Sequence, residues 1–255
     1  MKLKVLGCSG GIGGEHLHTT SFQIDHDILI DAGTGVCKLP LDALAAIDHV
    51  FLTHAHLDHI AALPLLIDSV TERRHSKPIT VYGLPDVLGV LKQHIFNWAV
   101  WPDFSEIPSR EAPSLCYQEV MLGQSIALAG RILIPLPADH TVPACGYRLD
   151  SGSSSLVLSG DSGPCNSFWE SLNEIENLRC LIVECAFPNE LYSLAKMAKH
   201  YTPSLLLDGL RRLKVEPDVY VTHLKPGKGG QTIKEISLLQ SRKIHHLQHN
   251  AVIEF

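Results

Sequence analysis

Apolar runs of the length that forms buried strands recur along the whole chain: Leu3–Leu6, Ile28–Ile30, Val50–Leu52, Ile79–Tyr82, Ile132–Leu136, Leu156–Leu158, Leu181–Val183 and Val219–Val221. Between several of them, apolar positions return every three or four residues. That spacing predicts helices over Ile60–Val70, Val87–Trp98, Phe168–Leu178, Leu191–His200 and Pro203–Leu213. The mixture is an α/β or α+β fold, with helices covering sheets. Pro and Gly punctuate the pattern without accumulating into a linker, so residues 1–255 are expected to form one compact domain. The least regular stretch, Pro102–Gln118, reads as a surface loop, with a lid near the functional site as the alternative.

Composition narrows the class. Hydrophobic residues make up 45% of 255 and charged ones 19%, enough apolar mass for a full core, which excludes disorder and coiled coil. No window approaches a membrane-spanning run, and the start, MKLKVLGCSGG, reads as neither signal peptide nor anchor. The 7 cysteines are scattered without any CxxC, so a disulfide framework and a thiolate zinc knuckle are not expected and a reducing cytoplasm is. A net charge of −6 with no basic run argues against a long nucleic acid as partner, though not against a small phosphate ligand.

The feature that calls for explanation is histidine: 15 of them, against 7 Phe and 6 Tyr. Three fall together in His54-Ala55-His56-Leu57-Asp58-His59, directly after the run Val50–Leu52. In an extended segment His54 and His56 point the same way, while Asp58 and His59 belong to the next turn. One short loop can therefore supply half the ligands of two adjacent ions. The same syntax recurs: Ile132–Leu136 runs toward His140, Leu156–Leu158 toward Asp161, and Val219–Val221 toward His223. Strand ends gathered on one sheet edge would join imidazoles and carboxylates, with no thiolate, into a site for two ions of the N- and O-binding type.

At these residues the chain resembles the metallo-β-lactamase superfamily, whose HxHxDH signature is matched by His54, His56, Asp58 and His59. Within it the chain looks most like the class II 3′,5′-cyclic-nucleotide phosphodiesterases. The matching segments are His56-Leu57-Asp58-His59-Ile60 through Ser69, His94-Ile95-Phe96-Asn97-Trp98 through Phe104, Glu184 to Glu190, and Thr222-His223-Leu224-Lys225-Pro226. Ala61-Ala62 stands where that family leads one to expect a glycine. The resemblance implies a four-layer αββα sandwich. It assigns His54, His56 and His140 to a first ion, Asp58, His59 and His223 to a second, with Asp161 bridging. It further implies zinc, with manganese or iron as alternatives, and a homodimer.

The implied reaction is hydrolysis of a cyclic nucleotide such as cyclic AMP or cyclic GMP. A hydroxide bridging two ions about 3.5–4 Å apart would attack phosphorus, the 3′ oxygen would leave, and a 5′-nucleotide would remain. An alkoxide leaves poorly unless protonated. The candidate acid is His200, which precedes a helix start and is similar to a phosphate-contacting histidine of related phosphodiesterases. Glu184, ending Leu181–Val183, is placed to orient it. Asp58 is counted with the catalytic residues as well as the ligands. Asp31, after Ile28–Ile30, looks like the superfamily's aspartate that braces a ligand histidine from behind. The competing functions are a tRNA 3′-processing-type nuclease, a lactamase or thioesterase on the same site, and a protein that binds metal or nucleotide without turnover.

Other signals are set aside. Gly160-Asp161-Ser162-Gly163 lacks the rest of a serine-hydrolase triad, and Trp101-Pro102-Asp103 lacks the cysteine and arginine of a tyrosine phosphatase. The glycines at 7, 10, 11, 13 and 14 and those from Gly227 to Gly230 read as tight turns rather than phosphate loops. His245, His246 and His249 read as a solvated terminus, and His16 and His18 as part of a loop at the mouth of the site. Finally, −6 counts no metal, and two divalent ions would add four positive charges where an anionic phosphodiester must dock.

Overall fold

Strands whose residues are apolar without alternation must be covered on both faces. The computed structural model, which describes residues 1–75, 77–239 and 243–255, covers them with three apolar layers. In one strand Val50 enters an outer layer and Phe51 an inner one; in another, Leu156 and Leu158 face inward and Val157 outward. The inner layer separates two sheets, and each outer layer lies under helices. The result is a four-layer αββα sandwich.

The first sheet comprises β1 (Lys2–Gly7), β2 (Ser21–Ile24), β3 (Ile28–Ile30), β4 (His49–Phe51), β5 (Ile79–Gly83) and β6 (Leu115–Glu119). The second holds β7 (Ile126–Leu128), β8 (Arg131–Pro137), β9 (Cys145–Asp150), β10 (Ser155–Leu158), β11 (Leu178–Glu184), β12 (Asp218–Thr222) and β13 (Ile244–His246). The chain then returns to the first sheet as β14 (Val252–Glu254), antiparallel to β1. Helices α1 (Leu41–Ala45), α2 (Leu57–Ile60), α3 (Leu63–Val70) and α4 (Pro85–His94) go with the first sheet, and α5 (Asn166–Asn173), α6 (Tyr192–Met197), α7 (Pro203–Leu210) and α8 (Gly229–Ser237) with the second. Among the described residues no helix is long and apolar enough to cross a membrane.

Each predicted apolar run lies within or overlaps a strand. The helical segments are shorter than their periodicity suggests. Ile60–Val70 is two helices, because Ala62 N–H donates to Ala32 O at 2.9 Å and Ala32 N–H to His59 O at 2.7 Å, so the chain there bonds a neighbouring turn. The stretch 102–118 is anchored at both ends. Phe104 is buried in the outer layer, and the last residues from Leu115 onward form β6, parallel to β5. Gly229 and Gly230 open α8 rather than close a tight turn.

Between the sheets Phe51 stacks on Tyr82 with centroids 4.2 Å apart and meets Tyr147 edge-on at 5.6 Å. Phe51 is fully buried. Phe51→Ala is expected to cost about 3–5 kcal/mol, read as a lowered denaturant midpoint; an unchanged midpoint would contradict this packing.

Candidate metal centre

The two sheets present strand ends along one edge. β10, β11 and β12 run parallel, and β8, antiparallel to β9 as β9 is to β10, shares their direction. Their C-terminal ends therefore deliver His140, Asp161, Glu184 and His223 to the same edge. From the other sheet, β4 delivers Thr53–His56. The sheets are tied at this point, where Cys145 N–H donates to Thr53 O at 2.9 Å and the Tyr147 hydroxyl to Leu52 O at 2.9 Å.

The turn after β3 carries Asp31 in the left-handed region, at φ 58°. Its N–H donates to Phe51 O at 2.8 Å. Its fully buried carboxylate accepts from Thr53 N–H and the Thr53 hydroxyl, both at 2.8 Å, and from His59 Nδ1 at 2.7 Å. Because the Thr53 hydroxyl gives its proton to Asp31, it accepts from Nδ1 of His54 at 3.0 Å. His140 Nδ1 donates to Lys199 O at 3.1 Å, and His223 Nδ1 lies 3.3 Å from the Thr20 hydroxyl. Each of these rings is thus held from behind by Nδ1, which turns Nε2 forward. His56 points Nδ1 forward instead, 3.2 Å from His140 Nε2.

The forward atoms converge on Asp161. One of its carboxylate oxygens, Oδ2, lies 3.1 Å from His223 Nε2, 3.3 Å from His59 Nε2 and 3.9 Å from His54 Nε2. Asp58 Oδ2 lies 3.8 Å from His223 Nε2 and 3.9 Å from His59 Nε2. Two sets of donors result, His54, His56 and His140 on one side and Asp58, His59, Asp161 and His223 on the other, each with its ligand atoms within 4.8 Å of one another.

These residues fit divalent ions. Nε2 of His54 and of His59 is buried with no hydrogen-bond partner, a costly state for a lone pair unless something electrophilic takes it. Burial pushes the imidazoles of His54, His223 and His140 down, the last to about 4, so each is neutral near pH 7. Imidazole with carboxylate and no thiolate is the donor set of zinc, manganese or iron. The separate cluster Asp27, Asp48 and His49 differs. Its carboxylates already pair with Arg131, Arg74 and Lys77.

His200 stands over the cluster, its ring stacked on His223 at 5.4 Å and edge-on to His140 at 5.0 Å. Its Nδ1 donates to Glu184 Oε1 at 2.7 Å. That buried carboxylate also accepts backbone N–H groups of Ser162 at 3.2 Å, Ala186 at 3.0 Å and Tyr201 at 3.3 Å. Burial disfavours charge on His200, yet the adjoining Glu184 carboxylate outweighs it and raises the ring's pKa. The helix that follows is capped by the Thr202 side chain rather than by His200.

Sequence reasoning gave no role to Thr53, Thr20 or Lys225. The Lys225 ammonium lies 3.3 Å from His223 Nε2, and its position two residues past a ligand was the available signal. The C-terminal histidines are not a solvated tail. His245 stacks on Tyr220 at 5.1 Å, and His249 packs against His18 at 5.3 Å, beside the loop that bears His16.

A family model described as a beta-lactamase superfamily domain matches residues 26–224. A probable 3′,5′-cyclic-nucleotide phosphodiesterase of Yersinia pestis is 28% identical over 91% of this chain and 81% of its own. The 3′,5′-cyclic-nucleotide phosphodiesterase 1 of Saccharomyces cerevisiae is 25% identical over 74% of this chain, which spans 59% of that protein's length. A ribonuclease Z from a Mycobacterium species is 32% identical over 55% of this chain and 53% of its own. In three dimensions the chain is similar to unliganded yeast PDE1, with a TM-score of 0.80, 20% identity and 98% of each chain covered.

Removing the Asp31 carboxylate leaves His59 unbraced and Thr53 unpaired. Asp31→Ala is expected to weaken divalent-ion binding by about 10–100-fold, measured by competition with a chromophoric chelator on protein whose circular dichroism is native.

Proposed function

The chain belongs to the β-lactamase superfamily and is a metal-dependent hydrolase, and on that ground we propose that it hydrolyses 3′,5′-cyclic nucleotides, cyclic AMP or cyclic GMP, to 5′-nucleotides. The observation that carries the reading is the pair of donor sets meeting at Asp161. His54, His56 and His140 would hold one divalent ion, Asp58, His59 and His223 the other, with Asp161 between them. When bound, the two ions supply Lewis acidity toward phosphoryl oxygens and an activated water as nucleophile. Zinc suits the imidazole-rich set, with manganese or iron as alternatives. The choice of cyclic nucleotide over polynucleotide is supported by the Yersinia relative, 28% identical over 91% of the chain, where matching ribonucleases Z cover 55% to 75% of it. The net charge of −6 supports it too, since a long polyanion would be repelled. One domain over 1–255, a homodimer and a cytoplasmic setting complete the reading.

The chain's own residues then divide the work. His200, with Nδ1–H committed to Glu184, presents Nε2 toward the cluster. Its raised pKa keeps a proton available for the departing 3′ oxygen. Glu184 is a positioning residue, anchored by three backbone donors so that it cannot swing away from His200. Lys225 adds a cation beside His223, on the side where an anionic phosphodiester approaches.

Purified protein with measured metal content is assayed on cyclic AMP, cyclic GMP, 2′,3′-cyclic nucleotides, bis-p-nitrophenyl phosphate and precursor tRNA. Turnover of the 3′,5′-cyclic nucleotides, lost in Asp58→Ala, is the expected result. Cleavage of precursor tRNA with inertness toward cyclic AMP overturns the substrate in favour of a processing nuclease. Equal, negligible turnover by wild type and Asp58→Ala on every substrate, with nucleotide still bound, overturns the enzyme. His200→Ala is expected to lower kcat on cyclic AMP by about 10²–10⁴. Its effect on bis-p-nitrophenyl phosphate should be smaller, because a nitrophenolate departs without a proton.

A further inference from the structure

Beside the metal-ligand cluster lies a cavity of about 660 Å³ that the chemistry described so far does not use. Three separate segments wall it: the loop after β1, the turn after His223, and the segment between β13 and β14. It meets the cluster at Lys225. The Lys225 ammonium donates to Gly10 O at 2.9 Å and lies 3.3 Å from His223 Nε2, and Lys225 also lines the cavity. The backbone on that side is equally close, since a side chain begun at Gly10 would meet His223 Cδ2 at 2.9 Å. A molecule held at the cluster by its phosphorus therefore has Lys225 beside it and the cavity next along.

The lining has a definite chemistry. Although the chain carries a net charge of −6, no carboxylate lines the cavity among the described residues. Its basic members are Lys225, His16, His246 and His249, and Gln248 and Asn250 add amide donors and acceptors. Leu17, Leu224, Pro226 and Leu247 give it apolar surface. The volume lies within the range of about 300–1000 Å³ that encloses small ligands. Imidazole rings stack on nucleobases, and side-chain amides pair with their edges.

We infer that this cavity is the nucleoside subsite: it takes the base and ribose of a cyclic nucleotide whose phosphate sits at the cluster, with Lys225 between the two. The assignment rests on the cyclic-nucleotide reading given above. Packing of His249 against His18 at 5.3 Å holds the loop after β1 against the segment after β13, so base recognition depends on the two ends of the chain being brought together.

Gly230, in the first turn of α8, lines the cavity, and a side chain begun there meets nothing within 4 Å. Gly230→Trp should therefore fill the cavity without disturbing the backbone. The readout is kcat/KM on cyclic AMP divided by kcat/KM on bis-p-nitrophenyl phosphate, which has no nucleoside. The ratio is expected to fall about tenfold, within what the loss of one base contact costs, chiefly through KM. Gln248→Ala is the second variant, covering failure of the first to fold. Its exposed side chain bonds only His246 Nδ1, at 2.7 Å, among the described residues, and it should raise KM for cyclic AMP while the ratio falls. Adenosine should compete with cyclic AMP in the wild type and fail to do so in Gly230→Trp. Wild type active on cyclic AMP with the ratio unchanged in both variants overturns the subsite alone. Wild type inert on cyclic nucleotides but active on bis-p-nitrophenyl phosphate overturns the substrate reading and the subsite with it.

Discussion

Asp31 is the point at which backbone geometry, sheet packing and site chemistry become one constraint. A fully buried carboxylate is tolerable only if its lone pairs are taken, and here three donors from two residues take them. Satisfying Asp31 fixes the Thr53 hydroxyl, which fixes His54, and the same oxygen, Oδ2, fixes His59. The orientation of two imidazoles is thus set by a residue that need not itself bind an ion. The same turn interrupts the helix after the histidine cluster, because Ala32 exchanges backbone bonds with His59 and Ala62.

The second organising feature is the shared edge of the two sheets. Parallel strands β10, β11 and β12 lead to Asp161, Glu184 and His223 at one edge, and the first sheet supplies the rest across the inner apolar layer. Bonds from Cys145 and Tyr147 to Thr53 and Leu52 register one sheet on the other directly behind the imidazoles. Interiors are close-packed, so this register transmits little slack to the ligand atoms. Charge follows the same division. Asp58 and Asp161 sit among the imidazoles, where divalent ions would offset them, while the cavity beside Lys225 has no carboxylate among its described lining residues although the chain carries −6.

Much of this was legible before any coordinates. Runs such as Ile28–Ile30 and Leu181–Val183 announced strands because both faces are buried and neither can alternate. Short or edge strands escaped notice. β7, with Ile126 and Leu128 only partly buried, and β13, where histidines occupy a strand position, carry no apolar run to see. The ends of helices were overestimated for a related reason: periodicity continues into turns that pack on the same layer, as Ile175 and Leu178 do after α5. In the site, the imidazoles and carboxylates that cluster stood out by type and spacing, but Thr53 and Thr20, which contact their rings from behind, are common residues that a sequence pattern does not single out.

By itself the sequence determined the inventory: which strands are buried on two faces, which imidazoles and carboxylates follow strand ends, and that thiolates are not among the donors. These are local properties, set by side-chain type and by periods of two and 3.6 that act over a few residues. Only the tertiary structure decided which donors share an oxygen of Asp161, which nitrogen of each ring looks forward, and that the segment after β13 closes a cavity against the loop after β1. Those facts depend on contacts between residues as far apart as Cys8 and Leu247, whose sulfur and carbonyl lie 3.5 Å apart. No local pattern encodes such a meeting, because it follows from the registration of two sheets through a packed layer.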